Sequence, residues 1–464
     1  MDKERIKTWV LVGLVLLSFA FTTQLWLSVP LERIISTSQT HSGQDSIKDY
    51  DLSSFVLPQW IVVNFGGGSH TKLINDSSNR RLFGDIYDGV SLIMKHIFAG
   101  EQEIEFVPVE MEELDAARGS RSIEVEYKGS FDTALFEEVY GGGKNRDGFP
   151  FVGIKAVIIS PGSDGEIFIC DGKSQAVFKT VLSTSGTGLD RLVKELEEND
   201  PVKYWTLREI GYSDNDKFYV PLEMGSFSLP AGTAVKEIDV SDQQLVDMYA
   251  SDFFSDMSMV RKITEMNGSI IYTDGQNALL RINSGGSLEY LSYSYVGGDS
   301  GSTDIISAIH TAISFIEEHG GIPEQLFLEE MLEVAENSHR GYRFKFNYAY
   351  NGLPFFRKGA LEASAVEVTV VEGRVVKYYR NIHQITRARI VQMPLLYPVE
   401  AADVVAGIIR GPGDAKVSPD ILDMYLGYCI DIEEVRDYQI FPAWYIKTEE
   451  REFLVDAYRG QLVE

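Results

Sequence analysis

Two short motifs place a serine, a lysine and an asparagine where acyl-transfer chemistry would want them. Ser69-His70-Thr71-Lys72 fits S-x-x-K and Ser213-Asp214-Asn215 fits S-D-N, which together would supply a nucleophile, a base and a proton relay of the penicillin-binding kind. The third element of that set, K-T-G, is absent. The lysine would also have to return to its serine from the next helical turn. Ser69 instead follows Gly66, Gly67 and Gly68 and precedes Asn75, Asp76, Ser77, Ser78 and Asn79, which is the setting of a turn. Gly298-Asp299-Ser300-Gly301 matches the nucleophile loop of trypsin-like proteases. No His-then-Asp-then-Ser order surrounds it, and it reads as a loop leading into a helix cap at Thr303 or Asp304. Gly172-Lys173-Ser174 has the ending of a phosphate-binding loop, but Ile167 stands where the first glycine is required, so a hairpin turn accounts for it. We assign no catalytic residue from sequence. An envelope enzyme acting on peptidoglycan, with Ser69 as nucleophile, is the main rival reading.

Metals and cofactors fare no better. The seven histidines (41, 70, 96, 310, 319, 339 and 383) are scattered, none lies in H-E-x-x-H, and no close His/Cys pair suggests zinc. Glu110, Glu112, Glu113 and Asp115 fall on a short helical stretch and read as a solvated face; a calcium loop would alternate its ligands around a glycine. Cys170 ends a strand-like run and reads as a buried thiol, and whether it pairs with Cys429 is left open. The formal charge of −27, from 69 acidic against 42 basic residues, repels phosphate backbones and argues against nucleic acid as a partner.

The elements that would carry any site are those of an α+β protein. In the segment 51–215, the run Leu57 to Phe65 reads as a strand, and Leu82, Ile86, Val90, Ile93 and Ile97 have helical spacing. Strands are expected at Ile104 to Val109, Ser122 to Tyr127 and Val152 to Ser160, then a hairpin joins Glu166–Cys170 to Ala176–Leu182, and a helix follows near Leu189 to Glu197. The segment 216–384 opens with a helix near Ser241 to Phe254 and continues in a meander through Asp274-Gly275 and Gly285-Gly286. An amphipathic helix then runs from about Asp304 to His319 and stops at Gly320, Gly321 and Pro323. Strands around Tyr342–Tyr350, Ala365–Val371 and Arg374–Arg380 complete it. The segment 385–464 has a helix near Val399 to Arg410 and further strands. We expect three mixed α/β domains with antiparallel sheets. The last two share a weak similarity: Leu353-Pro354-Phe355-Phe356 and Phe441-Pro442-Ala443-Trp444 each enter a strand ahead of a glycine hairpin, at Gly373 and Gly460.

Ahead of these domains, Thr8 to Val29 gives 22 residues without a charge, about 33 Å as a helix, against a hydrocarbon thickness of roughly 30 Å. Residues 8–29 therefore read as a transmembrane helix, 1–7 as a cytoplasmic N-terminus carrying Lys3, Arg5 and Lys7, and 30–50 as a polar tether. Trp9 and Trp26 fit the two interfaces as anchors. A cleaved signal peptide ending near Ser18-Phe19-Ala20 is the competing reading, and the apolar run past that point through Phe21, Leu25, Trp26 and Leu27 argues against it. Thr8, Ser18 and Thr22 cluster on one helical side, Gly13 and Ala20 on another, so these five are the candidates for close packing against a partner helix. The expected location is the cell membrane, single-pass, with the bulk of the chain outside the cytoplasm.

Three stretches resemble the YycH family: IKTWVLVGLVLLSFAFTTQLWLSVP (6–30), VRKITEMNGSIIYTDGQNALLRIN (260–283) and FPAWYIKTEEREFLVDAYRGQLVE (441–464). Their order, the length of the chain and the position of the apolar segment carry the resemblance. It implies an extracytoplasmic, three-domain α/β protein of a Gram-positive bacterium with no enzymatic activity and no cofactor. It further implies two partners, a sensor histidine kinase of the YycG/WalK kind, which controls cell-wall homeostasis, and a YycI-like sister protein. The kinase would be modulated through transmembrane-helix and domain contacts. The ending is also similar to PepSY-type modules.

Overall fold

A computed structural model describes residues 50–464, apart from 100–103, 142–147, 163, 216, 228, 294–303, 337–338, 360, 362–363, 392, 411–419, 432–437 and 464. The expected transmembrane helix and residues 30–49 of the tether lie outside the described residues. Among the latter, no helix is long and apolar enough to cross a membrane.

The chain first builds a nine-stranded sheet. Its strands are β1 (Trp60–Gly66), β2 (Ser69–Leu73), β3 (Val107–Val109), β4 (Arg121–Asp132), β5 (Gly153–Ile159), β6 (Gly165–Asp171), β7 (Ala176–Leu182), β8 (Tyr204–Thr206) and β9 (Tyr219–Pro221). They lie in the order β3-β7-β6-β5-β4-β1-β2-β8-β9, every pair antiparallel. Four helices belong to this part: α1 (Arg80–Phe98), α2 (Met111–Arg118), α3 (Thr133–Gly141) and α4 (Leu189–Glu198). The 3.6-residue spacing of Phe83, Ile86, Val90, Ile93 and Ile97 buries one side of α1 in the main core with Ile61, Val63, Ile123 and Val125. The intervening residues of those strands, Trp60, Val62, Glu124 and Glu126, are thereby turned to the other side of the sheet, because strand side chains alternate. Leu114 and Ala117 of α2 cover part of that second side over Ile158 and Phe168.

The second sheet has fourteen strands. Its first five are β10 (Pro230–Lys236), β11 (Arg261–Thr264), β12 (Ile270–Thr273), β13 (Ala278–Ile282) and β14 (Leu288–Ser292). β15 (Leu326–Glu336), β16 (His339–Tyr350), β17 (Leu353–Arg357), β18 (Val366–Val371), β19 (Arg374–Arg380) and β20 (His383–Ile390) follow. The last three are β21 (Ile421–Asp431), β22 (Tyr438–Thr448) and β23 (Glu452–Asp456). The path is β11-β12-β13-β14-β19-β18-β16-β17-β21-β22-β10-β20, with β15 beside β16 and β23 beside β22. One seam, β17 with β21, is parallel. Three helices accompany this sheet: α5 (Gln243–Ser251), α6 (Ile305–Glu318) and α7 (Pro398–Arg410). Asp304 caps α6 by accepting from Ile306 N at 3.0 Å and Ser307 N at 2.9 Å, a contribution of about 1 kcal/mol. Ile309, Ile313 and Ile316 of α6 are fully buried, each adding about 1.5–3 kcal/mol.

The mixed α/β architecture with antiparallel sheets is thus the one expected. One element differs in kind from the sequence reading, and Leu326–Glu336 is among those it left unassigned. Ser69 opens β2 instead of sitting in a turn, because Gly66, Gly67 and Gly68 all adopt positive φ and reverse the chain before it. Leu326–Glu336 is a strand paired with β16 along its whole length.

The two sheets touch through main chain. Leu328 N donates to Phe55 O at 2.9 Å, and a Cβ on Gly129 would lie 2.5 Å from Glu329 O. The β16–β17 hairpin turns on Asn351 and Gly352, both at positive φ, the Asn-Gly pair such two-residue turns favour. Its tip presses on the loop after β2: Ser77 N donates to Asn351 Oδ1 at 3.0 Å, and a Cβ on Gly352 would meet Asn75 main chain at 2.7 Å.

Candidate functional site

Between the sheets, beside that hairpin tip, lies a pocket of about 590 Å³, mouth included. From the first sheet come Gln59, Trp60, Lys72, Tyr204 and Tyr219; from the second, Leu353, Met424, Tyr425 and Trp444, with Phe227 and Leu229 from the connection between them. The alternation of β1 and β2 places Trp60 and Lys72 on the side away from the main core, and β21 and β22 bring a row of aromatic rings against them. Trp60 meets Tyr425 edge-on at 5.3 Å, Tyr425 meets Tyr445 at 4.9 Å, and Tyr445 stacks on Phe356 at 5.1 Å.

Charges are built into this aromatic seam. Lys72 is only 7% exposed. Its ammonium sits 3.8 Å above the centre of the Trp60 ring and 5.9 Å from that of Tyr204. Among the described residues it has no hydrogen bond and no ion pair. Burial pulls its pKa down to about 8, against a smaller upward pull from Glu126, Asp423 and Glu124. Trp60 Nε1 donates to Glu126 Oε2 at 2.6 Å, and Lys155 Nζ stands 3.7 Å from Glu126 Oε1. Lys128 donates to the Tyr425 hydroxyl. Burial raises the Asp423 carboxyl above the usual range, opposed by Lys128. Nε2 of Gln59 is buried beside the Tyr425 hydroxyl without a hydrogen bond of normal geometry.

The motifs singled out in the sequence do not assemble. Ser69 and Lys72, three apart on β2, face opposite sides of the sheet, so the lysine cannot deprotonate the serine. Asn215 holds main chain, donating to Ile421 O at 2.6 Å and accepting from Lys217 N at 2.7 Å. Around Gly172-Lys173-Ser174 the amides are already taken: Asp171 accepts from Lys173 N at 2.9 Å, Ser174 Oγ at 2.8 Å and Val152 N at 3.0 Å. Gly298 to Gly301 lies outside the described residues, as do Thr8, Trp9, Gly13, Ser18, Ala20, Thr22 and Trp26. No group of three or more His, Cys, Asp or Glu side chains that could hold a metal occurs among the described residues. Cys170 and Cys429 are not joined; burial pushes the Cys170 thiol up to about 12.

Residues 232–460 match the family model described as YycH protein, C-terminal domain. The chain belongs to the YycH family. The crystal structure of YycH from Bacillus subtilis shares the fold with a TM-score of 0.56 at 13% identity, covering 89% of this chain and 99% of that one. An uncharacterized protein from Eubacterium rectale aligns with a TM-score of 0.38 at 12% identity, over 54% of this chain and 91% of its own. The Bacillus megaterium YpeB C-terminal domain gives 0.25 at 12% identity, over 48% and 96%. No curated protein matches the sequence. Membership of the YycH family supports a regulator of the YycFG two-component system, and that family is not one of known enzymes.

Sequence reasoning missed the pocket. Lys72 was visible only as the fourth residue of S-x-x-K, and nothing local ties it to Tyr425.

Proposed function

We propose that this protein is a membrane-anchored, extracytoplasmic regulator that modulates a sensor histidine kinase of the YycG/WalK kind, together with a YycI-like sister protein. The observation that carries this reading is the family match over residues 232–460. The charge-free stretch at 8–29 supports an anchor able to lie beside the kinase's own membrane helices. In this reading residues 8–29 span the membrane with the N-terminus inside. Thr8, Gly13, Ser18, Ala20 and Thr22 pack against the partner helices while the folded part engages the sister protein.

Replacing residues 8–29 by an unrelated spanning helix tests the mechanism. Kinase output is expected to change while the protein stays in the membrane. Unchanged output in that chimera would remove the helix-contact mechanism. Loss of kinase regulation on deleting the folded part, with the anchor kept, would in turn separate regulation from passive scaffolding. The rival enzyme has one coherent nucleophile, so Ser69→Ala is expected to keep full function.

A further inference from the structure

The fourteen-stranded sheet ends at β20, whose outer edge pairs with no strand among the described residues. Its inner edge runs antiparallel to β10, and the register slips once there. Thr386 is left as an extra residue between Ile385, opposite Ala234, and Arg387, opposite Thr233. Strict alternation would send Arg387 and Arg389 to the side of Ile385, which packs on the main core; the extra residue turns both arginines to the other side. Ala388 and Ile390 fall on the core side but beyond its cover, and Ile390 is 64% exposed. Every residue from Thr386 to Ile390 is exposed. Among the described residues, neither arginine has an ion pair or a side-chain hydrogen bond, in a chain whose formal charge is −27.

We propose that the free edge of β20 accepts an extended acidic segment of a partner protein as a further strand, its carboxylates on Arg387 and Arg389 and its apolar residues over Ala388 and Ile390. An open edge is a row of main-chain donors and acceptors that such a segment completes. The arginines decide which segment. A second β20 laid alongside would bring arginine to arginine, and like charges facing each other across strands repel. The chain's negative charge opposes an anionic lipid surface. A strand that alternates acidic with apolar residues meets both sides of β20, because strand side chains alternate with period two. Binding at this edge requires neither a kinase nor residues 8–29.

Calorimetric titration of the full chain in phosphatidylcholine nanodiscs tests the proposal with three peptides. They are acetyl-Thr-Glu-Val-Glu-Val-Glu-Thr-amide, its counterpart with lysine for each glutamate, and its counterpart N-methylated at every glutamate and valine. The glutamate peptide is expected to bind with a Kd below about 1 mM, the lysine peptide about tenfold or more weaker, and the N-methylated one not at all, since it lacks the main-chain donors. Arg387→Glu with Arg389→Glu is expected to reverse the preference, lysine over glutamate, at an unchanged melting temperature. No binding of the glutamate peptide up to about 1 mM, equal affinity for the two charged peptides, full binding of the N-methylated one, or an unchanged preference in the double variant would each overturn the proposal. Self-association of the unmodified chain in sedimentation, lost in the double variant, would assign the edge to a second copy and overturn the acidic segment. Displacement of the peptide by phosphatidylglycerol vesicles would assign it to a membrane surface and do the same. Should the double variant not fold, the three peptides on the unmodified chain decide the outcome.

Discussion

Arg380 and Glu237 form a two-point ion pair across the second sheet, Nε to Oε2 at 2.7 Å and a terminal guanidinium nitrogen to Oε1 at 2.8 Å. The same guanidinium donates to Gly321 O at 2.9 Å and Gly320 O at 3.0 Å, the main chain that ends α6. Arg380 is only 2% exposed, so each of its donors must be met inside the fold. Arg380→Ala strands Glu237 and two carbonyls together. We expect a loss of about 3–5 kcal/mol in urea unfolding, and Arg380→Lys to recover less than half, because an ammonium cannot fork.

Lys72→Met should stabilise the protein. The folded-state pKa, about 8, lies below the ordinary lysine value of 10.5, so the charged lysine is disfavoured in the fold. Its penalty is absent above pH 10.5, grows as pH falls and is complete by about pH 8. That lowering corresponds to about 3 kcal/mol, from which the lost contact with Trp60, about 1–2 kcal/mol, must be subtracted. The expected net gain at pH 7 is about 1–2 kcal/mol. The difference between the two proteins should shrink between pH 8 and 10.5, as measured by urea unfolding at a series of pH values.

Two buried histidines should make the fold acid-sensitive. Burial lowers both His319 and His383 to about 4 from 6.5. Their contribution is complete above pH 6.5 and is lost as pH falls toward 4, where the unfolded chain takes up protons that the folded one refuses. Each loss amounts to about 3 kcal/mol. His319 stacks on Phe315 at 3.7 Å, so His319→Phe keeps the aromatic contact. That variant should show a shallower fall in melting temperature between pH 6.5 and 4 than the unmodified protein.

Gly352→Ala should cost about 2 kcal/mol or more. The substitution strains a φ of +75° and drives a methyl group against Asn75 main chain at 2.7 Å. Gly275→Ala shares the strained φ, +79°, but meets nothing within 4 Å. The excess of the first cost over the second, read from thermal melts, measures the close approach of the hairpin to the first sheet.

Local signals located most elements and few of the relationships between them. The helix at Ile305–Glu318 was legible because Asp304 supplies a cap and the isoleucines repeat at helical spacing. The hairpin of β6 and β7 was legible from Asp171-Gly172 between apolar runs. Leu326–Glu336 was not, since its leucines and glutamates favour a helix. The burial of Leu326, Leu328 and Met331, stepped by a bulge near Glu329, shows the partner strand overriding that preference. The pocket was hidden for a different reason. Lys72 and Tyr425 are brought together by the packing of two sheets, and no pattern within either segment encodes the other.

The main-chain seam between the sheets, at Phe55 with Leu328 and at Gly129 beside Glu329, joins them backbone to backbone. Any occupant of the pocket would then act as a keystone. It would lengthen the lifetime of the joint, and proteolysis rates and hydrogen exchange would read its presence.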